Sequence, residues 1–492
     1  MNFQSTRSKH TVSDTRAVLE GIAPDGGLYV DPELKNRPFD WQHCLTLSPL
    51  GMAEAILHHL LPDFPDMKGL VERAYTGKFD TPELTPVVSA GEQYILELFH
   101  GPTSAFKDVA LSMLPQLMVS ARALEGEQGE TVILTATSGD TGKAALEGFH
   151  DVAGTRIFVF FPHGGVSPVQ QLQMLTQQGA NVQVCAVRGN FDDCQTTVKE
   201  TFAALRQDAR FGETGYRLSS ANSINIGRLA PQLVYYFIAY AGLIERGRIR
   251  LGDPVDYVVP TGNFGDILAG WMAKALGLPV GKLICASNAN NVLTDFFDTG
   301  CYNKKREFFK TSSPSMDILV SSNLERLLFY VSGGDTALVA DAMRRLNEEG
   351  AYTLPAELME EIRRDFAAYC ADEADTRAEI GRLWREQRYL CDPHTAVALH
   401  AARLYREEHG KGAPQVVLST ASPYKFPAAV LAAIGGDLSG DEFAQMETLS
   451  ALTGVPIPPN LAGLKDRAVR FEDGIAAADM ADYICAKLGV AR

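Results

Sequence analysis

Thr131-Val132-Ile133-Leu134-Thr135-Ala136, then Thr137-Ser138-Gly139-Asp140-Thr141-Gly142, then Lys143-Ala144-Ala145-Leu146 reads as a short apolar strand, a turn of small residues and a helix start. The same plan recurs. Candidate strands lie at Arg156–Phe161, Val182–Val187, Val255–Val259, Lys282–Ala286 and Gln415–Ser419, each short, apolar and rich in branched residues, with helix-like segments between. That rhythm predicts an α/β fold of mostly parallel sheets with helices on both faces. In such sheets ligands sit where strand ends meet helix starts, so the turns carry the functional information.

Working outward, Phe99-His100-Gly101-Pro102-Thr103-Ser104-Ala105-Phe106-Lys107-Asp108 follows the strand-like run Tyr94 to Phe99 and leads into an apolar helix, Val109–Leu117. With Ser104 as the N-cap, Lys107 takes the third helical position, where a capping box places Glu or Gln. The helix dipole also disfavours a cation there. Stability does not account for Lys107; an amine that forms an imine with an aldehyde cofactor does. The plain alternative is a lysine snorkelling to solvent.

In the 137–143 turn, Gly139 and Gly142 allow close backbone approach, and Ser138 and Thr141 offer hydroxyls. A nucleotide P-loop is disfavoured because Thr137 replaces its first glycine and Ala144 its magnesium-binding hydroxyl. Val258-Val259-Pro260-Thr261-Gly262-Asn263-Phe264-Gly265-Asp266 runs into the helix Ile267–Leu276, and its N–H groups can converge on a phosphate. The competing reading makes Asp266 a simple N-cap. Thr420, after Gln415–Ser419, either presents a neutral hydroxyl to a heterocyclic nitrogen or caps a turn before Pro423. Asn222-Ser223-Ile224-Asn225-Ile226-Gly227-Arg228 suits a second anion, or is ordinary helix capping with a surface arginine.

The whole chain sets limits. Its 492 residues imply two or three domains, and 46% hydrophobic with 21% charged residues describes an ordinary globular composition. A net charge of -15 argues against nucleic acid as the main partner. The eight cysteines show no metal-ligand spacing and fit reduced thiols in the cytoplasm. The polar start Met1–His10 has no signal core, and no apolar run reaches membrane-spanning length. Pro82 and Pro86 mark a linker between an N-terminal domain, 1–90, and a catalytic region, 91–492. Within the latter, 333–388 reads as a helical insertion from its Ala, Glu and Arg content and helical periodicity.

Taken together, these segments resemble threonine synthase, a family of pyridoxal-phosphate enzymes of the tryptophan-synthase-β structural class (fold type II). The resemblance spans nearly the whole chain. Ser5-Thr6-Arg7, Gly21–Val30, Phe99–Asp108, Ala136–Gly142, Asn222–Arg228, Gly262–Gly265, Ser321–Arg326 and Asp392-Pro393-His394-Thr395-Ala396 carry it in order. Three positions depart from the pattern or from the wider class: Asp266 for a usual Asn, Ser422 for a His, and Asp140 where wider relatives carry an Asn near the cofactor's phenolic oxygen. The resemblance implies that Lys107 holds pyridoxal 5'-phosphate and then serves as general base. It implies that Gly262, Asn263, Phe264 and Gly265 grip the cofactor phosphate, that Thr420 faces the ring nitrogen, and that Asp140 lies near the phenolic oxygen. The implied reaction converts O-phosphohomoserine and water to L-threonine and phosphate, in threonine biosynthesis. Asn222, Ser223 and Arg228 are candidates for the substrate phosphate, and Ser138 and Thr141 for its carboxylate or phosphate. A different fold-type-II phospholyase is the alternative. Oligomeric state stays open.

Overall fold

The computed structural model describes residues 1–137, 139–189 and 191–490. Two parallel sheets form its frame. The larger has six strands in the order Phe366–Cys370, Val280–Ser287, Val255–Pro260, Gln415–Ser419, Gln93–Glu97 and Val87–Ala90, parallel except for the last pair. The second has five parallel strands in the order Gly474–Ala476, Val182–Arg188, Thr155–Pro162, Thr131–Ala136 and Arg217–Ser219. The central strands Val255–Pro260 and Gln415–Ser419 are buried at every residue. That is why they read as continuous apolar runs and not as alternation.

The expected strands recur within two residues at each end, because burial on both faces leaves a strong compositional signal. The 333–388 expectation needs correction. The segment carries helices, but Phe366–Cys370 within it is the edge strand of the six-stranded sheet, paired to Val280–Ser287. Ala351–Thr353 pairs with Cys301–Asn303 in a separate ribbon. Both strands are short and lie among charged helices, so the helical period around them masked them. Val87–Ala90, inside the stretch assigned to the N-terminal unit, likewise belongs to the six-stranded sheet.

The N-terminal region contributes a three-stranded antiparallel sheet (Thr11–Ser13, Asn2–Ser5, Tyr29–Val30) and helices including Pro49–Leu60. Phe3 and Ile56 join Val109, Ile133 and Val259 in one continuous apolar core, so this region packs directly on the catalytic helices. Arg7 makes a two-bond pair with Glu325, which also accepts from Thr6. Among the described residues, no helix is long and apolar enough to cross a membrane.

The helix Lys107–Leu124 lies across the helix Asp140–Phe149, and Gly148 makes the close crossing possible. A Cβ there would lie 2.0 Å from the carbonyl oxygen of Leu111. Gly148→Ala gains ~1 kcal/mol of helix propensity and loses ~1–3 kcal/mol or more to overpacking. We expect a net loss of stability in chemical denaturation; an unchanged or raised midpoint would show that the two helices separate freely.

Candidate active site

Lys107 stands at the junction of the two sheets, at the start of its helix and not at the third position. Helix Lys107–Leu124 begins at Lys107 itself, with Phe106 as N-cap and no side-chain capping bond. Ser104 is not the cap; its φ of 58° puts it in the left-handed region, a conformation unusual for serine. The turn is closed instead by Asp108, whose carboxylate accepts the backbone N–H and the hydroxyl of Thr103 at 2.8 and 2.5 Å. Gly101 is required there, since a Cβ would meet that of Asp108 at 2.4 Å. The segment is zipped to the end of strand Gln415–Ser419. Phe106 N–H donates to Thr420 O at 2.8 Å, and Ser422 N–H donates to Ser104 O at 3.1 Å. Lys107 and Thr420, more than 300 positions apart, are therefore held by one backbone ladder.

The other turns converge on the same place. In the 137–143 turn, Thr137 Oγ1 accepts from the N–H groups of Gly139 and Gly142 at 3.0 and 2.8 Å, closing the loop. Asp140 opens the following helix and Thr141, half-buried, follows it. Ser138 lies outside the described residues. Lys143 bonds Glu147 and Gln177 and so faces away from any phosphate, against the P-loop reading. In the second loop Phe264 has a φ of 65° and caps the helix Gly265–Ala275. The Gly262 and Asn263 carbonyls are occupied: Ser321 Oγ donates to Gly262 O at 2.7 Å, and Asn323 donates to Asn263 O through its backbone and side chain, each at 3.0 Å. None of the N–H groups of Gly262, Asn263, Phe264 and Gly265 finds a protein acceptor among the described residues. A loop with its carbonyls tied back and its N–H groups free is built for an anion. Asp266 does not cap the helix; it is the second helical residue, and its carboxylate accepts the N–H of Ile267.

The 222–228 segment divides into two roles. Asn225 is structural: its side chain accepts Gly227 N–H and donates to Val18 O. Asn222 is exposed and Ser223 half-buried. Arg228 is buried; its Nη1 donates to Ala221 O at 2.8 Å, while its Nε has no partner among the described residues. It is not the surface arginine of the plain reading.

Burial is the main force on the charges here. It lowers Lys107; Asp140 opposes this, Lys425 and Arg228 reinforce it, and the amine settles at about 8. Burial alone pulls Arg228 down to about 10. Burial pushes the Asp140 carboxyl up, but the ammoniums of Lys425 and Lys107 outweigh it and hold it well below the usual range. Burial lifts Asp266 to about 7, so near neutral pH it carries only part of a negative charge toward a nearby anion.

Several site residues escaped the sequence reading. Lys425 pairs with Asp140 at 2.6 Å and donates to Thr103 O at 3.1 Å, with Gln170 completing the Asp140 shell at 2.8 Å. Ser315 Oγ accepts from Lys107 Nζ at 3.1 Å. Asn323 and Arg326 fasten the loops from behind. Lys425 lies five residues beyond Thr420 and could have been found there; Ser315 had no motif around it. The unpartnered Arg228 Nε, the free N–H groups of the 262–265 loop and the buried amine of Lys107 together fit an aldehyde carrying a phosphate, plus a second anion.

The chain is similar to known proteins over nearly its whole length. Residues 84–421 match the model of the pyridoxal-phosphate dependent enzyme family; residues 2–75 and 395–484 match models of the threonine synthase N terminus and C-terminal region. The chain is 40% identical to a threonine synthase of Pseudomonas aeruginosa, over 87% of this chain and 90% of that protein. It is 38% identical to a threonine synthase-like 1 protein of Pongo abelii over 95% of this chain, which spans only 64% of that relative's length. A crystal structure of PLP-bound threonine synthase from Brucella melitensis superposes with a TM-score of 0.86 at 38% identity, covering 98% of both chains.

A neutral amine is the nucleophile in imine formation. Capture of pyridoxal phosphate by the cofactor-free protein, trapped with borohydride and located by peptide mass, should occur at Lys107. Its rate should rise with pH through a midpoint of about 8, well below the ~10.4 of an ordinary lysine. A midpoint near the ordinary value would mean that Lys107 is not desolvated as described.

Proposed function

Because this chain belongs to the threonine synthase family of pyridoxal-phosphate-dependent enzymes, we propose that it converts O-phosphohomoserine and water to L-threonine and phosphate. Lys107 carries the cofactor and moves the protons. The observation that carries this reading is the buried Lys107 amine, held at about 8 where the strand-end loops meet. A base poised near the working pH is half available in each protonation state, which is what removal and return of a carbon-bound proton require.

Pyridoxal phosphate, when bound, supplies the electron sink for charge developing on the substrate carbons. The protein's part is binding, aim and proton handling. The N–H groups of Gly262, Asn263, Phe264 and Gly265 hold the cofactor phosphate at the start of a helix. The Thr420 hydroxyl would face the ring nitrogen and, being neutral, would leave it largely unprotonated. Asp140 is paired with Lys425, so toward the phenolic side of the cofactor it would present a carboxylate that is already half of an ion pair. Arg228, with Asn222 and Ser223, takes the substrate phosphate; Thr141 and Ser138 take its carboxylate. Lys107 Nζ accepts the proton from Cα and then one from Cβ as phosphate leaves Cγ; a proton delivered to Cγ, water added at Cβ and a proton returned to Cα then give threonine. The eight cysteines are scattered along the chain without metal-ligand spacing, which supports a reducing compartment such as the cytoplasm. The net charge of -15 supports small molecules, not nucleic acid, as partners.

The protein purified with cofactor should be yellow and release threonine and phosphate in equal amounts, and Lys107→Ala should abolish both. Phosphate released with ammonia and without threonine would instead make it a phospholyase of the same class. Arg228→Ala should raise the KM for O-phosphohomoserine about tenfold or more, since a charge-assisted contact is worth ~1.5–3 kcal/mol. An unchanged KM would remove Arg228 from the phosphate site.

A further inference from the structure

We propose that Ser315 is the positioning residue for the Lys107 amine, and that the Asp392–His394 pair acts on the reaction through it. The inference rests on the reading of Lys107 as cofactor lysine and proton carrier. A lysine amine ends a flexible four-carbon stem, so something must aim it. Lys107 Nζ lies 3.1 Å from Ser315 Oγ and 4.8 Å from the centre of the Phe106 ring. A hydroxyl both donates and accepts, so Ser315 can meet the amine whether it is neutral or protonated. With one N–H committed to Ser315, the rest of the amine is turned toward the substrate side.

Ser315 sits in the single-turn 3-10 helix Pro314–Met316 and is held there from two sides. Its backbone N–H donates to His394 Nε2 at 3.2 Å, so that nitrogen carries no proton. The other ring nitrogen, Nδ1, then donates to Asp392 at 2.6 Å. Asp392 has no accessible surface and caps its helix through the N–H groups of His394 and Thr395, which fixes the carboxylate and, through it, the ring. From the other side, the buried amide of Asn288 donates to Ser313 Oγ at 3.0 Å and to Asp317 at 2.8 Å, clamping the turn at both ends. Ser315 also touches the anion loop: a Cβ on Gly262 would lie 2.5 Å from its carbonyl oxygen. One residue thus contacts both the amine and the loop that would hold the cofactor phosphate, and a shift in it moves both.

The test uses the cofactor-loaded protein and four variants: Ser315→Ala, Ser315→Thr, His394→Gln and the double Ser315→Ala/His394→Gln. Exchange of the α-proton of added L-threonine in heavy water is followed by NMR, and the absorbance of the lysine-bound cofactor is titrated with pH. In Ser315→Ala we expect exchange to slow about tenfold or more and the absorbance midpoint to move; Ser315→Thr should recover most of both. His394→Gln should slow exchange, and the double variant should be no slower than Ser315→Ala. The inference is overturned if Ser315→Ala exchanges within about twofold of wild type with the same midpoint, or if the two losses multiply in the double variant. Wild-type protein that neither binds cofactor at Lys107 nor exchanges the proton would overturn the Lys107 reading, and the inference with it.

Discussion

Arg326 has no accessible surface, and the arrangement of the site hangs from it. Its Nε donates to Tyr29 O in the N-terminal sheet, Nη2 to Ile224 O in the 222–228 segment, and Nη1 to the side chain of Asn323. Asn323 passes the link on to Ser223 O and Asn263 O. A planar guanidinium with five donors is the side chain that can hold two separate backbones and a neighbouring side chain at fixed angles. Burying a cation is costly, and here Tyr330, Glu325 and the carbonyls of Tyr29 and Ile224 offset part of that cost. The N-terminal region is thereby coupled to two loops that face the site, beside an apolar cluster that runs through both parts of the chain.

The electrostatics of the site follow from the same economy of partners. Asp140 is matched by Lys425 within the protein, whereas Arg228 keeps an unpartnered Nε and Lys107 is left to a neutral hydroxyl. Cations that the protein does not fully satisfy are held ready for an anionic ligand. The free protein gives up stability for this, as sites often do. Asp266, which by charge would oppose a phosphate nearby, is lifted by burial into a range where its proton is retained for part of the time.

How far the sequence was legible depends on how local each signal is. The strands Thr131–Ala136 and Gln415–Ser419 are readable to the residue because nearly every position is buried and, Gln415 apart, apolar or small. Phe366–Cys370 was not, since it is a five-residue edge strand directly following a charged helix. Lys107 stood out because local rules disfavour it where it is. Its cap was misread because a left-handed serine and a back-folded Asp108 close the turn by contacts that no capping pattern describes. Arg228 gave no sign of its burial, since a helix start with an arginine looks the same inside or outside a protein.

From sequence alone come the α/β class, the order of the strand-end turns, and the identity of the residues at each turn: Lys107, Asp140, Gly262–Gly265, Arg228 and Thr420. These are encoded by periodicity and turn chemistry, which act over a few residues. Only the tertiary structure decided which of them meet, and what stands behind them. Ser315 reaches Lys107 across 208 positions of chain, and Lys425 reaches Thr103 across 322. No local pattern specifies such a contact. It follows from how two twisted sheets bring their strand ends together, and from burial, which moves a charge's pKa only once the surrounding chain has closed over it.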